Sequence, residues 1–358
     1  MLAFNFLTGR GMGGFYCHFT MRKDGRVFGF LLFLLMMLLW LKQLDPITLL
    51  DMYYIYKRGI SSKSENKWFV IVPMPNTYVS LQQGFFTEFL AVIGALVYAE
   101  SQGACGVVVD FTEDSFYTRQ HKDNWWGYYF NPIIPLRNCP LSFSNQDVVR
   151  FDGVIPSLVS FQAFIEGPNQ KFRPYPLSYR TSPNRVGALV KKYIQFSPGG
   201  QTINSAVDLF LAQAGGSYKI GVHFRGTDKR GLYPYVSPSF AVFKRSIDNV
   251  IRQHPLYCIF IATDDVSFLT YMTEAYPTGT VKSLIADIRQ GVMPMHKDVF
   301  ISPEVKGDTA ITDMLLLSKC NYIIKNRSSL SDVSIAFSSA NYTMILGDTE
   351  IESFVYEK

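Results

Sequence analysis

The chain has 358 residues, 48% apolar and 15% aromatic, enough for one large or two ordinary domains with a sizeable core. A net charge of +5 with no Lys/Arg-rich block argues against a nucleic-acid partner and suits a small anionic ligand. The five cysteines are scattered, with no C-x-x-C or His spacing that would hold zinc. Cys258 and Cys320 read as buried small apolar residues, and spacing alone leaves a Cys105–Cys139 disulfide open.

From the N-terminus, Val27–Leu41, VFGFLLFLLMMLLWL, carries no charge over 15 residues. Leu44 and the snorkelling reach of Arg26 and Lys42 lengthen it towards a membrane span. Arg10, Arg22, Lys23 and Arg26 precede it, so the positive-inside rule places the N-terminus in the cytosol. This predicts a single-pass type II protein: cytosolic tail 1–26, anchor 27–44, stem 45–66, and a lumenal bulk in the Golgi or ER. A cleaved signal peptide is the rival reading, but no small-x-small site follows the apolar run. The sequons at Asn326 and Asn341 are compatible with a lumenal location.

Beyond the stem, KWFVIVPMP reads as a strand stopped by Pro73 and Pro75. Phe85, Phe86, Phe89, Leu90, Ile93, Leu96 and Val97 recur at helical spacing up to Gly103. CGVVVDF is a second strand, which makes a βαβ opening, and the aromatic loop NWWGYYFNPI follows. The stretch from Cys139 to Gly200 is mixed, with helix candidates in RVGALVKKYIQF and INSAVDLFLAQAG. From Tyr218 onwards, strand-like and helix-like runs alternate: YKIGVHF, YCIFIATDD, GTVKSLIA, NYIIKN and YTMILGD are the strands. That alternation predicts parallel sheets covered by helices, in an α/β fold of two Rossmann-like domains, 67–205 and 206–358.

Three of these strands end in polar clusters: VHFRGTDK, IATDD and IIKNRSSLS. In an open α/β sheet, ligands bind beyond the carboxyl ends of the strands. Arg225 leaves the first strand just before Gly226, which permits a sharp turn. Ser328, Ser329 and Ser331 open a helix whose free N–H groups favour an anion. A guanidinium facing a helix N-terminus suits a diphosphate, and Asp264 and Asp265 suit hydroxyls or amines beside it. A simple loop ion pair between Arg225 and Asp228 is the competing interpretation. Walker, G-x-G-x-x-G, G-x-S-x-G and H-E-x-x-H motifs are absent, as is D-x-D.

The ordered trio GVHFRGTDK, FIATDD and DMLLLSKCNYIIKNRSSLS resembles the fucosyltransferase superfamily, which includes the α1,6-, nodulation and protein O-fucosyltransferases. The resemblance covers roughly residues 218–337. It implies a GT-B fold and an inverting, metal-independent glycosyltransferase that uses GDP-fucose as donor substrate, with no cofactor. A glycan or glycoprotein would be the acceptor. Carried over by motif, Arg225 would bind the β-phosphate and assist its departure, with His223 against the ribose or phosphate. Asp264 and Asp265 would contact guanine or support the loop; Lys229, Asp313, Arg327, Ser328 and Ser329 complete the donor side. Gly84 and Phe85 would form the facing loop, and Trp125 and Trp126 would stack on acceptor sugars or else close an aromatic core. Asp228 is a candidate base, as is Asp110. The α1,6 enzymes have two adjacent arginines where this chain has Arg225-Gly226, and Arg327 is a candidate replacement for the second. Two alternatives remain: a GT-B enzyme with another nucleotide sugar, and a catalytically silent glycan-binding or scaffolding protein of the same fold.

Overall fold

The computed structural model describes residues 67–72, 84–101, 103–112, 116–118, 123–140, 148–152, 183–215, 218–226, 238–284, 298, 300–348 and 351–354. The expected cytosolic tail, anchor and stem lie outside the described residues. Among the described residues, no helix is long and apolar enough to cross a membrane. All of them fall in one compact unit, Asp51–Lys358.

The first sheet has the order β3-β2-β1-β4. It comprises β1 (Trp68–Val72), β2 (Gly106–Val109), β3 (Ile133–Pro135) and β4 (Val148–Asp152). The β1 strand is central and runs parallel to β2 and β4, while β3 runs antiparallel along the edge. Helix α1 (Phe85–Ser101) crosses between β1 and β2. It is apolar almost all round, because it is covered on several sides. It rests on β1 and β2, and also touches α3 (Pro183–Tyr193), α7 (Pro303–Ser318) and α8 (Ser329–Phe337). The Cys105–Cys139 disulfide forms, tying β2 to the chain beyond β3 across a separation of 34 residues. Closing such a loop stabilises a fold by about 3–4 kcal/mol in the chain-entropy account. Cys258 and Cys320 are free and buried, as expected of small core residues.

The aromatic stretch expected as a loop contains a helical turn, α2 (Trp126–Tyr129), and runs on into β3. Asn124 organises it. Its Oδ1 accepts from the Phe111 and Trp126 amides, and its Nδ2 donates to the Val109 carbonyl. Helix α4 (Pro198–Gln213) begins five residues earlier than the apolar pattern suggested, because Ser197 caps it through the Gly200 amide and Pro198 occupies the first turn. This helix runs through residues 205 and 206.

The second sheet has the order β10-β9-β8-β5-β6-β7. Its strands are β5 (Tyr218–Phe224), β6 (Tyr257–Thr263), β7 (Val281–Lys282), β8 (Tyr322–Lys325), β9 (Asn341–Ile345) and β10 (Ile351–Phe354). All pairings are parallel except β9 with β10. Ile220, Val222 and Phe224 of β5 bury into one cluster with Val242, Phe243 and Ile247 of α5 (Phe240–Ile251). Phe268 and Met272 of α6 (Val266–Ala275) complete it. On the opposite face, a side chain at Gly221 would meet Leu317 and Cys320 at 3.0 Å, so α7 covers that side closely. The chain lays β6 and β7 on one side of β5, then returns to lay β8 and β9 on the other. The topological switch point therefore lies between β5 and β8, where open α/β sheets form their ligand crevice.

Candidate active site at the sheet switch point

Where β5 leaves the sheet, its backbone has run out of ladder partners, and side chains from both neighbouring strands take over. Thr263, at the end of β6, donates its hydroxyl to the Phe224 carbonyl at 2.7 Å. From the β8 side, Asn326 Oδ1 accepts from the Arg225 amide at 2.8 Å and Nδ2 donates to the Arg225 carbonyl at 2.9 Å. Asp264 Oδ1 accepts from the Gly226 amide at 2.9 Å. Buried backbone groups need such partners, so the Arg-Gly corner is fixed from both sides. A Cβ on Gly226 would lie 2.4 Å from Phe224 Cε1 and 2.8 Å from Asp265 Oδ2, and no larger residue fits that corner.

The Arg225 side chain is also placed. Its Nε lies 3.3 Å from Asp264 Oδ2, and the two side chains are 22% and 10% exposed. Asp264 therefore holds both the turn and the guanidinium. Asp265 is buried, lines the Gly226 corner with Oδ2 and caps α6 with Oδ1, which accepts from the Phe268 amide. Asp264 is thus bonded to the loop after β5 and Asp265 to the first turn of α6.

On β8, Lys325 is 1% exposed and pairs with Asp332 in the first turn of α8. Alternation explains this: Ile323 packs beside Ile335 of α8, and Lys325 is two residues further along the same face. Burial raises the Asp332 carboxyl above its ordinary value, with Lys325 pulling it back down. Ser328 is the N-cap of α8, buried, and makes no side-chain capping bond, while Ser331 donates to its carbonyl. Arg327 lies half-buried between these groups and Asn326.

His223 is buried on β5, and Asp313 is buried on α7. From the level where Gly221 meets Leu317, His223 is two residues up the strand and Asp313 one turn up the helix. Both steps lead towards the carboxyl end of the sheet, so the two groups stand at the same level beneath the crevice.

The first sheet contributes the opposite rim. Gly84 accepts from the Thr87 and Glu88 amides at the start of α1, and the Phe85 amide donates to the Tyr117 hydroxyl at 2.7 Å. Thr87 Oγ1 lies 3.4 Å from Ser329 Oγ, which brings the N-termini of α1 and α8 together. Glu88 is buried in this first turn. The Tyr117 phenol is pushed well up by burial and then by Glu88, while Arg225 acts on it in the opposite sense.

The structure brings together His223, Arg225, Asp264, Asp265, Asp313, Arg327, Ser328 and Ser329, with Gly84 and Phe85 on the facing rim. Asp228 and Lys229 lie outside the described residues. Asp110, just past β2, accepts from the Thr112 hydroxyl at 2.9 Å. Trp125 and Trp126 are fully buried, Trp125 stacked on Phe111 and Trp126 on Phe89. Of their two expected roles the structure assigns them the core, because six aromatic neighbours already fill the space around them. Sequence reasoning missed Asn326 as a clamp, Lys325, Asp332, Thr87, Glu88 and Tyr117. Among the described residues, no group of three or more His, Cys, Asp or Glu is arranged to hold a metal ion.

No family model matches the chain, and no curated protein matches it. Solved structures do. The fucosyltransferase NodZ from Bradyrhizobium is 18% identical over 82% of this chain and 100% of its own, with a TM-score of 0.51. A NodZ α1,6-fucosyltransferase structure soaked with GDP-fucose is 17% identical over 82% and 100% of the two chains, again at 0.51. Another, co-crystallised with GDP, is 16% identical over 81% and 99%, at 0.51. The chain is therefore an α/β protein with parallel sheets that shares the fold of these GT-B-like fucosyltransferases.

Proposed function

We propose that this chain is a glycosyltransferase of the fucosyltransferase superfamily, which moves fucose from GDP-fucose to a hydroxyl of a glycan or glycoprotein with inversion. The observation that carries this is Arg225, fixed by side chains from both flanking strands at the switch point of a sheet whose fold matches structures containing GDP or GDP-fucose. Asp264 engages Nε, and a guanidinium held in place this way suits phosphate oxygens, which it can bind in a bidentate manner. As the acceptor hydroxyl attacks the anomeric carbon, the bond to the β-phosphate oxygen breaks and negative charge grows on GDP. Arg225 and the free amides at the start of α8 neutralise it; preorganised donors of this kind contribute about 3–4 kcal/mol each. The hydroxyl proton passes to a carboxylate, a role we give to Asp228. We further propose that Val27–Leu41 anchors the chain with its catalytic part in the Golgi or ER lumen.

The test is thermal melting of the purified full chain with GDP, UDP and CMP, followed by incubation with GDP-fucose. Stabilisation by GDP alone, with GDP released only when an acceptor is present, supports the assignment. Stabilisation by UDP or CMP moves it to another donor, and no response to any nucleotide leaves a silent scaffold.

A further inference from the structure

The Asn326 carboxamide is 6% exposed and does the work of a missing peptide unit. Its oxygen takes the Arg225 N–H, its nitrogen gives to the Arg225 carbonyl, and its own amide donates to the His223 carbonyl at 3.3 Å. The parallel β5–β8 ladder, whose last paired rung is His223 with Lys325, is thereby prolonged by one rung built from a side chain. That added rung sets where the backbone of Arg225 stops and hence the direction in which its side chain leaves. An amide meets the need at neutral pH, since the site requires one donor and one acceptor side by side. A carboxylate would set a second acceptor against the Arg225 carbonyl.

We infer that Asn326 is a positioning residue for anion recognition: it aims Arg225 at the diphosphate of the donor without touching that donor itself. This role rests on the nucleotide-sugar assignment above. It also gives Asn326-Arg327-Ser328 a meaning other than a glycan attachment site, because both ends of the amide are engaged in holding the strand end.

The Asn326→Asp variant tests the inference, because protonation turns the new carboxyl into a near-copy of the amide, with one O–H donor and one carbonyl acceptor. GDP affinity of the full chain is measured for wild type and variant from pH 5 to 8. The ratio of the two is expected to show a loss of about ten- to a hundredfold at pH 7.5, shrinking to within about threefold at pH 5. A ratio of one throughout, or a loss that does not change with pH, overturns the inference. A wild type that ignores GDP overturns the donor assignment and this role with it. Should the variant fold only at pH 5, wild-type affinity there upholds the role, and absent binding there refutes it.

Discussion

Thr87 Oγ1 lies 3.4 Å from Ser329 Oγ, so the opening turn of α1 at the rim of the first sheet meets the start of α8 at the rim of the second. The two halves of the candidate site are linked here by a pair of small hydroxyls. A Thr87→Cys/Ser329→Cys double variant is expected to cross-link on oxidation, raise the melting temperature of the nucleotide-free chain by several degrees and slow GDP exchange at least about tenfold. Reduction should reverse both effects. An oxidised variant that exchanges GDP at the wild-type rate would separate this contact from the crevice.

Asp264 holds two things at once, the Gly226 amide and the Arg225 guanidinium. Asp264→Ala removes both and is expected to lower kcat/KM by about a hundredfold. Asp264→Asn keeps an acceptor for the amide and should recover about tenfold of that loss, each tenfold step being about 1.4 kcal/mol. Steady-state kinetics with GDP-fucose checks the order of the three proteins. Equal losses for both variants would mean that the charge alone matters.

Lys325 and Asp332 form a nearly enclosed ion pair. Removing one partner strands the other, so Asp332→Asn is expected to destabilise the chain by about 3–5 kcal/mol. The double variant Lys325→Met/Asp332→Leu, which removes both charges at similar volume, should lie within about 1–2 kcal/mol of wild type. Denaturant unfolding reads both values. A double variant as damaged as the single one would show that the pair is needed for more than its mutual compensation.

Lys306 is buried in the first turns of α7, with its ammonium 5.5 Å from the centre of the Phe116 ring. Burial lowers its pKa, with Asp298 opposing. The unfolded chain therefore binds more protons at this position, and stability rises with pH as it passes from the lowered folded value towards the ordinary lysine range. Lys306→Met is expected to raise the melting temperature by about 1–3 °C at pH 7, the gain shrinking as pH approaches 10. A gain that is constant with pH would trace to packing and not to the buried charge.

The alternation of β5 to β9 with their helices was legible because each strand is a short run of Ile, Val, Phe and Tyr closed by polar or turn residues, as in YKIGVHF before Arg225. The polar strand ends were legible for the same reason: charges directly after such a run have nowhere to go but the rim. Strand β4, VVRFD, was hidden because its charges and short length resemble loop, and only pairing along the whole of β1 makes it a strand. Strand β10 was hidden likewise, its four residues being held by β9 alone. The fate of Trp125 and Trp126 depends on Phe85, Phe89 and Phe111, which local pattern cannot place beside them. Asn326 is the sharpest case. Its sequence context marks a sequon, whereas its function in the fold follows from the adjacency of β5 and β8 across 101 residues of chain.

The antiparallel β10 pairs Ile351 through Phe354 with Ile345 through Tyr342, and Ser353 Oγ sits 3.1 Å from the hydroxyl of Thr343. It serves as a selvedge, stopping the fabric from fraying into its neighbours. Deletion of residues 351–358 would bare the outer hydrogen-bonding row of β9, an open invitation for another molecule to zip on. Such a shortened chain should self-associate at concentrations where the full one stays monodisperse in light scattering, even with the crevice untouched.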